Sequence, residues 1–253
     1  MKKLELQNTD LFTSLNDDEI EDLHRGGLKV IQKKDGYRFS MDAVLLANFI
    51  TVKRNERVAD LGTGCGVIPL IIAFRNPTAI ITAVEMDETA GRMAGESVEM
   101  NDLSDQITIV VKDIKDLGNA YRSGSFDVVT TNPPYGRLNS GRINPDPKKA
   151  AARHEISGTL DDFLQCASYL LKYRGRLALV YPAAMLADLI VRLREMNLEP
   201  KRMQTVYTGK NRKAKLVLME AVKGGGRELE LLQPLYIYDN HGNYSKEFEA
   251  MYR

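Results

Sequence analysis

Four groups of residues combine types and spacing that suit binding or catalysis, and the first is a glycine-rich loop within residues 58–66. The loop reads V-A-D-L-G-T-G-C-G, and it joins a strand pattern ending at Asp60 to an apolar helix pattern. Glycine lacks a Cβ atom and adopts positive φ, so a ligand can approach the backbone closely. The glycines are Gly62, Gly64 and Gly66. Val67 stands where the dinucleotide fingerprint G-x-G-x-x-G needs its last glycine, which counts against NAD.

Two carboxylates follow the next two β-rich stretches. Glu85 follows residues 79–84 at about the distance at which α/β nucleotide-binding folds place a ribose-binding acid. A carboxylate there can accept both hydrogen bonds of a ribose diol. Asp113 follows the next strand pattern and could accept a hydrogen bond from an adenine amino group. Asp87 is a rival to Glu85 but better suits the N-cap of a helix over residues 88–100, and either Glu85 or Asp113 could instead be a solvated loop residue.

The fourth group is the turn Asn132, Pro133, Pro134 and Tyr135, which follows a strand pattern at residues 126–131. Consecutive prolines fix φ and remove N–H donors, so this turn is stiff. Asn132 offers a carbonyl acceptor and an amide donor, and Tyr135 offers a flat ring. Because ligands of open α/β folds bind at the carboxyl ends of the strands, the turn suits a site where geometry matters.

The elements that must position these groups alternate between strand and helix. A short strand is predicted at residues 28–32, and two last strands at 202–208 and 214–222 are joined by a basic hairpin. The main helix patterns lie at 41–49 (after Ser40 as a cap), 88–100, 160–173 and 183–196. This order predicts an α/β fold, Rossmann-like and doubly wound, with a mostly parallel seven-stranded sheet and a C-terminal antiparallel hairpin. The acidic run at residues 10–22 is expected to be a solvated face.

The composition is that of a soluble globular protein. Among the 253 residues, 43% are hydrophobic and 27% are charged. The net charge is +1, so the chain has no overall excess of positive charge that would indicate nucleic-acid binding. No apolar stretch approaches the ~20 residues of a membrane span, and the first residues lack the apolar core of a signal peptide. We therefore expect a cytoplasmic protein, acting as a monomer. Cys65 and Cys166 lack metal-ligand spacing, so free thiols and no metal are expected.

Together, D-x-G-x-G-x-G, Glu85, Asp113 and N-P-P-Y resemble the class I S-adenosylmethionine-dependent methyltransferases. N-P-P-Y marks the branch that methylates planar amino or amide nitrogens. The stretches G-Y-R-F-S-M-D-A-V-L-L-A-N-F (36–49), A-R-H-E (152–155) and the ending P-L-x-I-Y-D-x-x-G-x-Y are similar to the bacterial tRNA1(Val) adenine-N6 methyltransferase family. The resemblance implies S-adenosylmethionine as cofactor and RNA, namely tRNA, as substrate. It also implies one domain over residues 1–253, with an extension and cofactor-closing segment (1–50), a catalytic core (51–222) and a tail (223–253).

The same resemblance implies a role for each site residue. Cofactor contacts are implied for Tyr37, Phe39, Ser40, Asp42, Asp60, Gly62, Gly64, Gly66, Glu85, Asp113 and Asn132. Catalysis is implied for Asn132, Pro133, Pro134 and Tyr135. Hydrogen bonds from the target amine to the Asn132 side-chain carbonyl and the Pro133 backbone carbonyl would draw its nitrogen toward sp³ character, and Tyr135 would stack on the base. Gly136 departs from the family pattern, which leaves a second stacking partner unidentified.

Two basic stretches are expected to contact RNA phosphates, since neutralising phosphates releases counterions. They contain Lys210, Arg212 and Lys213 in the hairpin, and Arg142, Lys148, Lys149 and Arg153 after the catalytic turn. Three alternatives stay open: a protein glutamine-N5 methyltransferase, a DNA adenine-N6 methyltransferase and a non-catalytic cofactor-binding protein. The first two usually carry an additional substrate domain, for which we find no room, and the intact N-P-P-Y argues against the third.

Overall fold

A central sheet with helices on both faces organises the chain in the computed structural model, which describes residues 18–23, 26–33, 41–135 and 158–252. The strands are β1 Asp18–Asp22, β2 Lys29–Lys33, β3 Arg57–Leu61, β4 Ile80–Glu85, β5 Ile107–Val111, β6 Phe126–Thr131, β7 Leu171–Pro182, β8 Leu198–Tyr207, β9 Ala214–Lys223, β10 Glu230–Leu231 and β11 Leu235–Tyr236. The α-helices are α1 Met41–Phe49, α2 Val67–Arg75, α3 Glu88–Met100, α4 Leu160–Leu170, α5 Leu186–Glu195 and α6 Lys246–Glu249. Short 3₁₀ helices span Ile114–Asn119, Ala183–Met185 and Ala250–Tyr252.

The strand order of the main sheet is β10-β8-β9-β7-β6-β3-β4-β5, and β11 also pairs with β8. All of its pairings are parallel except those of β9, which runs antiparallel to both β7 and β8. The predicted fold, a mostly parallel doubly wound sheet with a C-terminal antiparallel hairpin, is confirmed. Within the described residues the sheet has nine strands, because β10 and β11, of two residues each, extend the seven long strands at the outer edge.

The central strands are buried on both faces, which is why they are apolar almost without interruption. In β3 every residue after Arg57 is buried, and in β6 only Asp127 is partly exposed. One core lies on the side of α1, α2 and α3 and contains Leu46, Leu70 and Val98. The second core lies on the side of α4 and α5. The functional edge of the sheet is therefore supported from both sides by packed helices.

Local capping explains where two of the helices begin. Asp87 caps α3 by accepting a hydrogen bond from the backbone N–H of Ala90 at 2.8 Å, which agrees with the predicted N-cap. Thr159 and Asp162 form a reciprocal capping box at the start of α4. The predicted end of α4 at residue 173 is wrong, because the helix ends at Leu170 and Leu171 already pairs with Phe126 of β6.

The acidic run forms a strand over the part that the structure describes. β1 pairs antiparallel with β2, and the Asp18 carboxylate, with a side chain only 4% exposed, accepts from Arg92 of α3 at 2.9 Å. The backbone N–H of Ile31 in β2 donates to the Ser97 hydroxyl, also in α3, at 2.9 Å. The prediction of a solvated face holds for Glu19 and Asp22, which are exposed, and is wrong for Asp18, because its carboxylate binds α3. None of the described helices is both long and apolar enough to cross a bilayer.

Candidate active site

The carboxyl ends of β6, β3, β4 and β5 lie side by side, in that order, at one edge of the main sheet. We call this edge, where the parallel strands end, the carboxyl edge. The turn from Asn132 to Tyr135 follows β6, the glycine loop follows β3, Glu85 ends β4, and Asp113 follows β5. With a strand spacing of about 4.8 Å, the four groups span roughly 15 Å. The structure therefore brings together the four groups selected from the sequence.

The glycine loop is held by β4. All three glycines have positive φ: 70° at Gly62, 59° at Gly64 and 88° at Gly66, which is the conformation that favours glycine. The N–H of Gly64 donates to Glu85 Oε2 at 2.8 Å. The other oxygen, Oε1, accepts from the N–H groups of Met86 and Asp87 at 2.9 and 3.0 Å. The Glu85 carboxylate is thus fixed by three backbone donors, and its remaining lone pairs can still accept from a ligand.

The space beside the loop can be judged from what a Cβ atom would meet at each glycine. At Gly64 a Cβ would meet no atom within 4 Å, whereas at Gly62 it would lie 3.2 Å from the Phe163 ring and at Gly66 3.4 Å from the Ala94 Cβ. Gly62 and Gly66 therefore let the loop pack closely on the protein. Gly64 faces open space, as a loop that receives a ligand requires.

Asp60 is fully buried beneath the loop. Its Oδ1 accepts from the Thr130 hydroxyl of β6 at 2.6 Å. Burial raises the pKa of Asp60 to about 6 from its usual 3.8, the Thr130 hydrogen bond opposes this, and the Glu85 charge adds to it. No hydrogen bond of full geometry reaches the buried Asp60 Oδ2 or Thr63 Oγ1 within the described residues, although the Thr63 hydroxyl lies close enough to oppose the rise in the Asp60 pKa. Because unpaired buried polar atoms are costly, these two fit a site completed by a polar ligand.

Asp113 lies half-buried at the end of β5. Its carboxylate accepts from the N–H of Lys115 at 2.9 Å and caps the following 3₁₀ helix. The cap fixes the side chain at the carboxyl edge, two strands from the glycine loop. A role of Asp113 toward adenine stays a prediction.

The turn that follows β6 is tied to α1 through Tyr135. The Tyr135 hydroxyl oxygen lies 3.0 Å from Asp42 Oδ2 and 2.9 Å from Asn132 Oδ1. Its ring meets Tyr181 edge to face, with centroids 5.7 Å apart, and Tyr181 is only 6% exposed. The polar end of Tyr135 therefore holds the Asn132 side chain, and Tyr181 holds the ring.

The sequence did not single out Thr63, Thr130 or Tyr181. Thr130 differs from other strand residues only by facing Asp60 from the adjacent strand, a placement that no local pattern reveals. Several predicted residues lie outside the described ranges, namely Tyr37, Phe39, Ser40, Arg142, Lys148, Lys149 and Arg153.

Comparison with known proteins agrees with this geometry. The family model of the methyltransferase small domain matches residues 38–196. The chain belongs to this family. It is 31% identical over 224 residues to a tRNA1(Val) (adenine(37)-N6)-methyltransferase of Bacteroides thetaiotaomicron, covering 87% of this chain and 90% of that protein. It is 29% identical over 214 residues to the protein of the same name from Dyadobacter fermentans, covering 84% and 87%.

Solved structures share the methyltransferase fold. A predicted O-methyltransferase of Agrobacterium tumefaciens matches with a TM-score of 0.69 and 22% identity, covering 84% of this chain and 95% of that one. M. jannaschii TYW2, solved in complex with AdoMet, matches with a TM-score of 0.54 and 15% identity, covering 81% and 85%. At these identities the likeness concerns the fold. The predicted family and the predicted enzyme class, a methyltransferase, are confirmed.

The basic run at residues 201–227 of this methyltransferase domain divides between the two edges of the sheet. Lys210, Arg212 and Lys213 are exposed in the turn between β8 and β9, at the carboxyl edge. At the opposite edge, the Lys201 ammonium donates to the carbonyl oxygen of Gly226 at 3.2 Å, and Lys223 donates to that of Leu171 at 2.9 Å. Only the hairpin cations therefore lie where the catalytic turn lies.

Both cysteines are free thiols, as predicted. Burial raises the pKa of Cys65 to about 11 and that of Cys166 to about 12, so neither carries a reactive thiolate at neutral pH. Within the described residues, no group of three or more His, Cys, Asp or Glu side chains is arranged to hold a metal ion.

Proposed function

We propose that the protein transfers the methyl group of S-adenosylmethionine to the N6 amine of an adenine in RNA, namely adenine 37 of tRNA1(Val), the target for which its relatives are named. One observation carries the proposal: the stiff Asn132–Tyr135 turn is fastened to Asp42 at the same edge as the glycine loop and Glu85. A planar amine held by that turn would face a donor held by the loop.

The residues at the carboxyl edge fit the cofactor. Glu85 offers acceptor lone pairs to a ribose diol, and Asp113 offers a carboxylate to the adenine amino group. No hydrogen bond of full geometry reaches Asp60 Oδ2 or Thr63 Oγ1 within the described residues, so polar groups of the methionine end can bind both atoms. When bound, the cofactor supplies an electrophilic methyl group on a positively charged sulfur. The ionised Asp60 lies nearby and favours that positive charge.

The chain itself activates the amine by orientation. The lone pair of an exocyclic amine is delocalised into the purine, so the amine is a poor nucleophile. Hydrogen bonds from its two N–H groups to the Asn132 side-chain carbonyl and the Pro133 backbone carbonyl favour an sp³ nitrogen whose lone pair points away from both acceptors. Such positioning can contribute about 7–11 kcal/mol to the barrier reduction, and no strong base is needed.

Tyr135 sets which end of the Asn132 amide faces the substrate. A phenol has one proton, yet the Tyr135 oxygen lies within 3.0 Å of two oxygen acceptors, on Asp42 and Asn132. A carboxylate is the stronger acceptor, so Tyr135 donates to Asp42. Rotation of the Asn132 side-chain amide then lets its NH₂ group donate to the Tyr135 oxygen. That orientation turns the Asn132 carbonyl away from Tyr135 and toward the target amine.

The test is transfer of radiolabelled methyl to three substrates: tRNA from cells that lack the gene, DNA and total protein. We expect label only in tRNA, at an N6-methyladenine that nucleotide mapping places at position 37. Asn132→Ala should abolish transfer while calorimetry shows unchanged cofactor affinity, because its partner is the substrate. The matched control is Asn76→Ala. Asn76 follows the end of α2, at the edge of the sheet opposite to the carboxyl edge. Label in DNA or protein would support an alternative instead, and Asn132→Ala at the wild-type rate would refute the mechanism.

A further inference from the structure

The tail carries an exposed pair of stacked tyrosines that have no role in the proposed methyl-transfer mechanism. Tyr238 and Tyr244 face each other across an antiparallel β-bridge. Their ring centroids are 5.2 Å apart and their planes differ by 16°, and the residues are 36% and 48% exposed. Exposed apolar surface of this kind marks interaction sites when it is contiguous.

The pair is rigid. The Asp239 carboxylate accepts from the N–H groups of His241 at 2.8 Å and Asn243 at 3.0 Å, which closes the turn between the tyrosines. Below them, the Tyr244 ring lies 5.0 Å from that of Phe248, which is 2% exposed. The three rings thus form a row that begins in the core. Because the row is already ordered, a partner that stacks on it loses little conformational entropy of these side chains on binding.

The tyrosines lie at the carboxyl edge, beside the basic hairpin. β11 runs parallel to the end of β8, and the Tyr238 N–H donates to the Thr208 carbonyl oxygen at 3.2 Å. Because β8 is parallel to β7, residues 208–213 lie at the same edge as the catalytic turn. From β6 to β11 the order is β6-β7-β9-β8-β11. Four spacings of about 4.8 Å separate Asn132 from the tyrosines by roughly 19 Å.

The turn between β8 and β9, on the hairpin side of the tyrosines, is positively charged, whereas Asp239, Glu247 and Glu249 lie on the tail side. Exposed cations follow β8 and begin β9, namely Lys210, Arg212, Lys213 and Lys215. None of them forms an ion pair with a carboxylate in the part of the chain that the structure describes. The Asp239 carboxylate is held in the tail turn by backbone donors. Flat rings beside unneutralised cations suit a ligand with aromatic faces and negative charge.

We propose that Tyr238 and Tyr244, with the basic hairpin, form a stacking platform for unpaired nucleotides of the RNA substrate that flank the target adenine. Bases in a duplex present only their edges, whereas unpaired bases expose the faces that stack on aromatic rings. The cations hold the phosphates between the platform and the catalytic turn. This inference rests on the proposed function and adds to it a second contact, remote from the base pocket.

The test measures the affinity of Tyr238→Ala/Tyr244→Ala for tRNA from cells that lack the gene, by fluorescence anisotropy over a range of salt concentrations. We expect affinity to fall about tenfold or more, with the salt slope unchanged, because lost stacking releases no fewer counterions. Tyr238→Phe/Tyr244→Phe should bind like wild type. Tyr173→Ala is the matched control, since Tyr173 is 75% exposed but lies at the amino-terminal end of β7, on the opposite edge.

The outcomes separate the platform from the proposed function. Thermal melting and cofactor calorimetry establish that each variant is folded, and Tyr238→Leu, which keeps apolar bulk but no flat ring, replaces the double variant if that one unfolds. At saturating tRNA the double variant should methylate at the wild-type kcat with a raised KM. Wild-type tRNA affinity in the alanine and leucine variants would overturn the platform and leave the proposed function standing. If the wild-type protein neither binds nor methylates tRNA, both the platform and the proposed function are refuted.

Discussion

Replacing Asp42 with asparagine should slow methyl transfer without releasing the cofactor. Asp42 Oδ2 lies 3.0 Å from the Tyr135 hydroxyl, and an amide is a weaker acceptor than a carboxylate. The phenolic proton is then free to point at Asn132 Oδ1, 2.9 Å away, where it competes with the target amine. Hydrogen bonds to charged groups contribute about 1–2 kcal/mol more than neutral ones. At ~1.4 kcal/mol per tenfold in rate, kcat should fall about fivefold to thirtyfold.

The assay is single-turnover methylation at saturating cofactor and tRNA, with cofactor affinity measured separately by calorimetry. Tyr135→Phe, which keeps the ring and removes the hydroxyl, should lose a similar factor. Because both changes act on the orientation of Asn132, the double variant should lose little more than either single one. A wild-type kcat for Asp42→Asn would refute this reasoning. A loss of cofactor affinity alone would assign Asp42 to the cofactor, as the sequence predicts.

Three further predictions concern the loop, the buried acid and the hairpin. Glu85→Ala should weaken cofactor binding at least tenfold by calorimetry, because it removes the acceptor of the Gly64 N–H together with a ribose partner; unchanged affinity would exclude Glu85 from the site. The raised pKa of Asp60, about 6 against 3.8, means that the folded state loses stability relative to the unfolded state as pH rises from about 4 to above 6. In urea titrations, the free energy of unfolding of Asp60→Asn should therefore rise by up to ~3 kcal/mol relative to that of the wild type between pH 4 and pH 7. A difference in unfolding free energy that does not change with pH would contradict this. Charge reversal at Lys210, Arg212 and Lys213 should lower the salt slope of tRNA binding by about 2, whereas an unchanged slope would place the RNA elsewhere.

The sequence predicted the features that depend on neighbouring residues. Apolar runs located the central strands, and Asp87 located the start of α3, because capping needs only the next turn of chain. The end of α4 was missed because the apolar residues near Leu170 suit a helix as well as a strand. Leu171 pairs with Phe126, 45 positions earlier in the chain, and this pairing makes Leu171 the first residue of β7. The short strands of the tail were missed because two residues carry no periodicity.

Contacts between distant positions limited the prediction of the site. The bond between Tyr135 and Asp42 joins residues 93 positions apart, and that between Thr130 and Asp60 joins residues 70 apart. Residue types alone indicated that each could bind something. Only the folded chain shows that Asp42 reaches the Tyr135 hydroxyl beside Asn132 and that Thr130 donates to one oxygen of Asp60.

The antiparallel direction of β9 places the basic hairpin and the glycine loop at the same edge but in different halves of the sheet. Because β9 runs antiparallel to β8, the turn between them lies at the same edge as the ends of β3, β4 and β6, although β7 and β6 separate it from the glycine loop. The turn between β8 and β9 can therefore vary in length and charge without disturbing the glycine loop. Replacing residues 208–213 should then change RNA binding while the methyl-transfer chemistry stays the same.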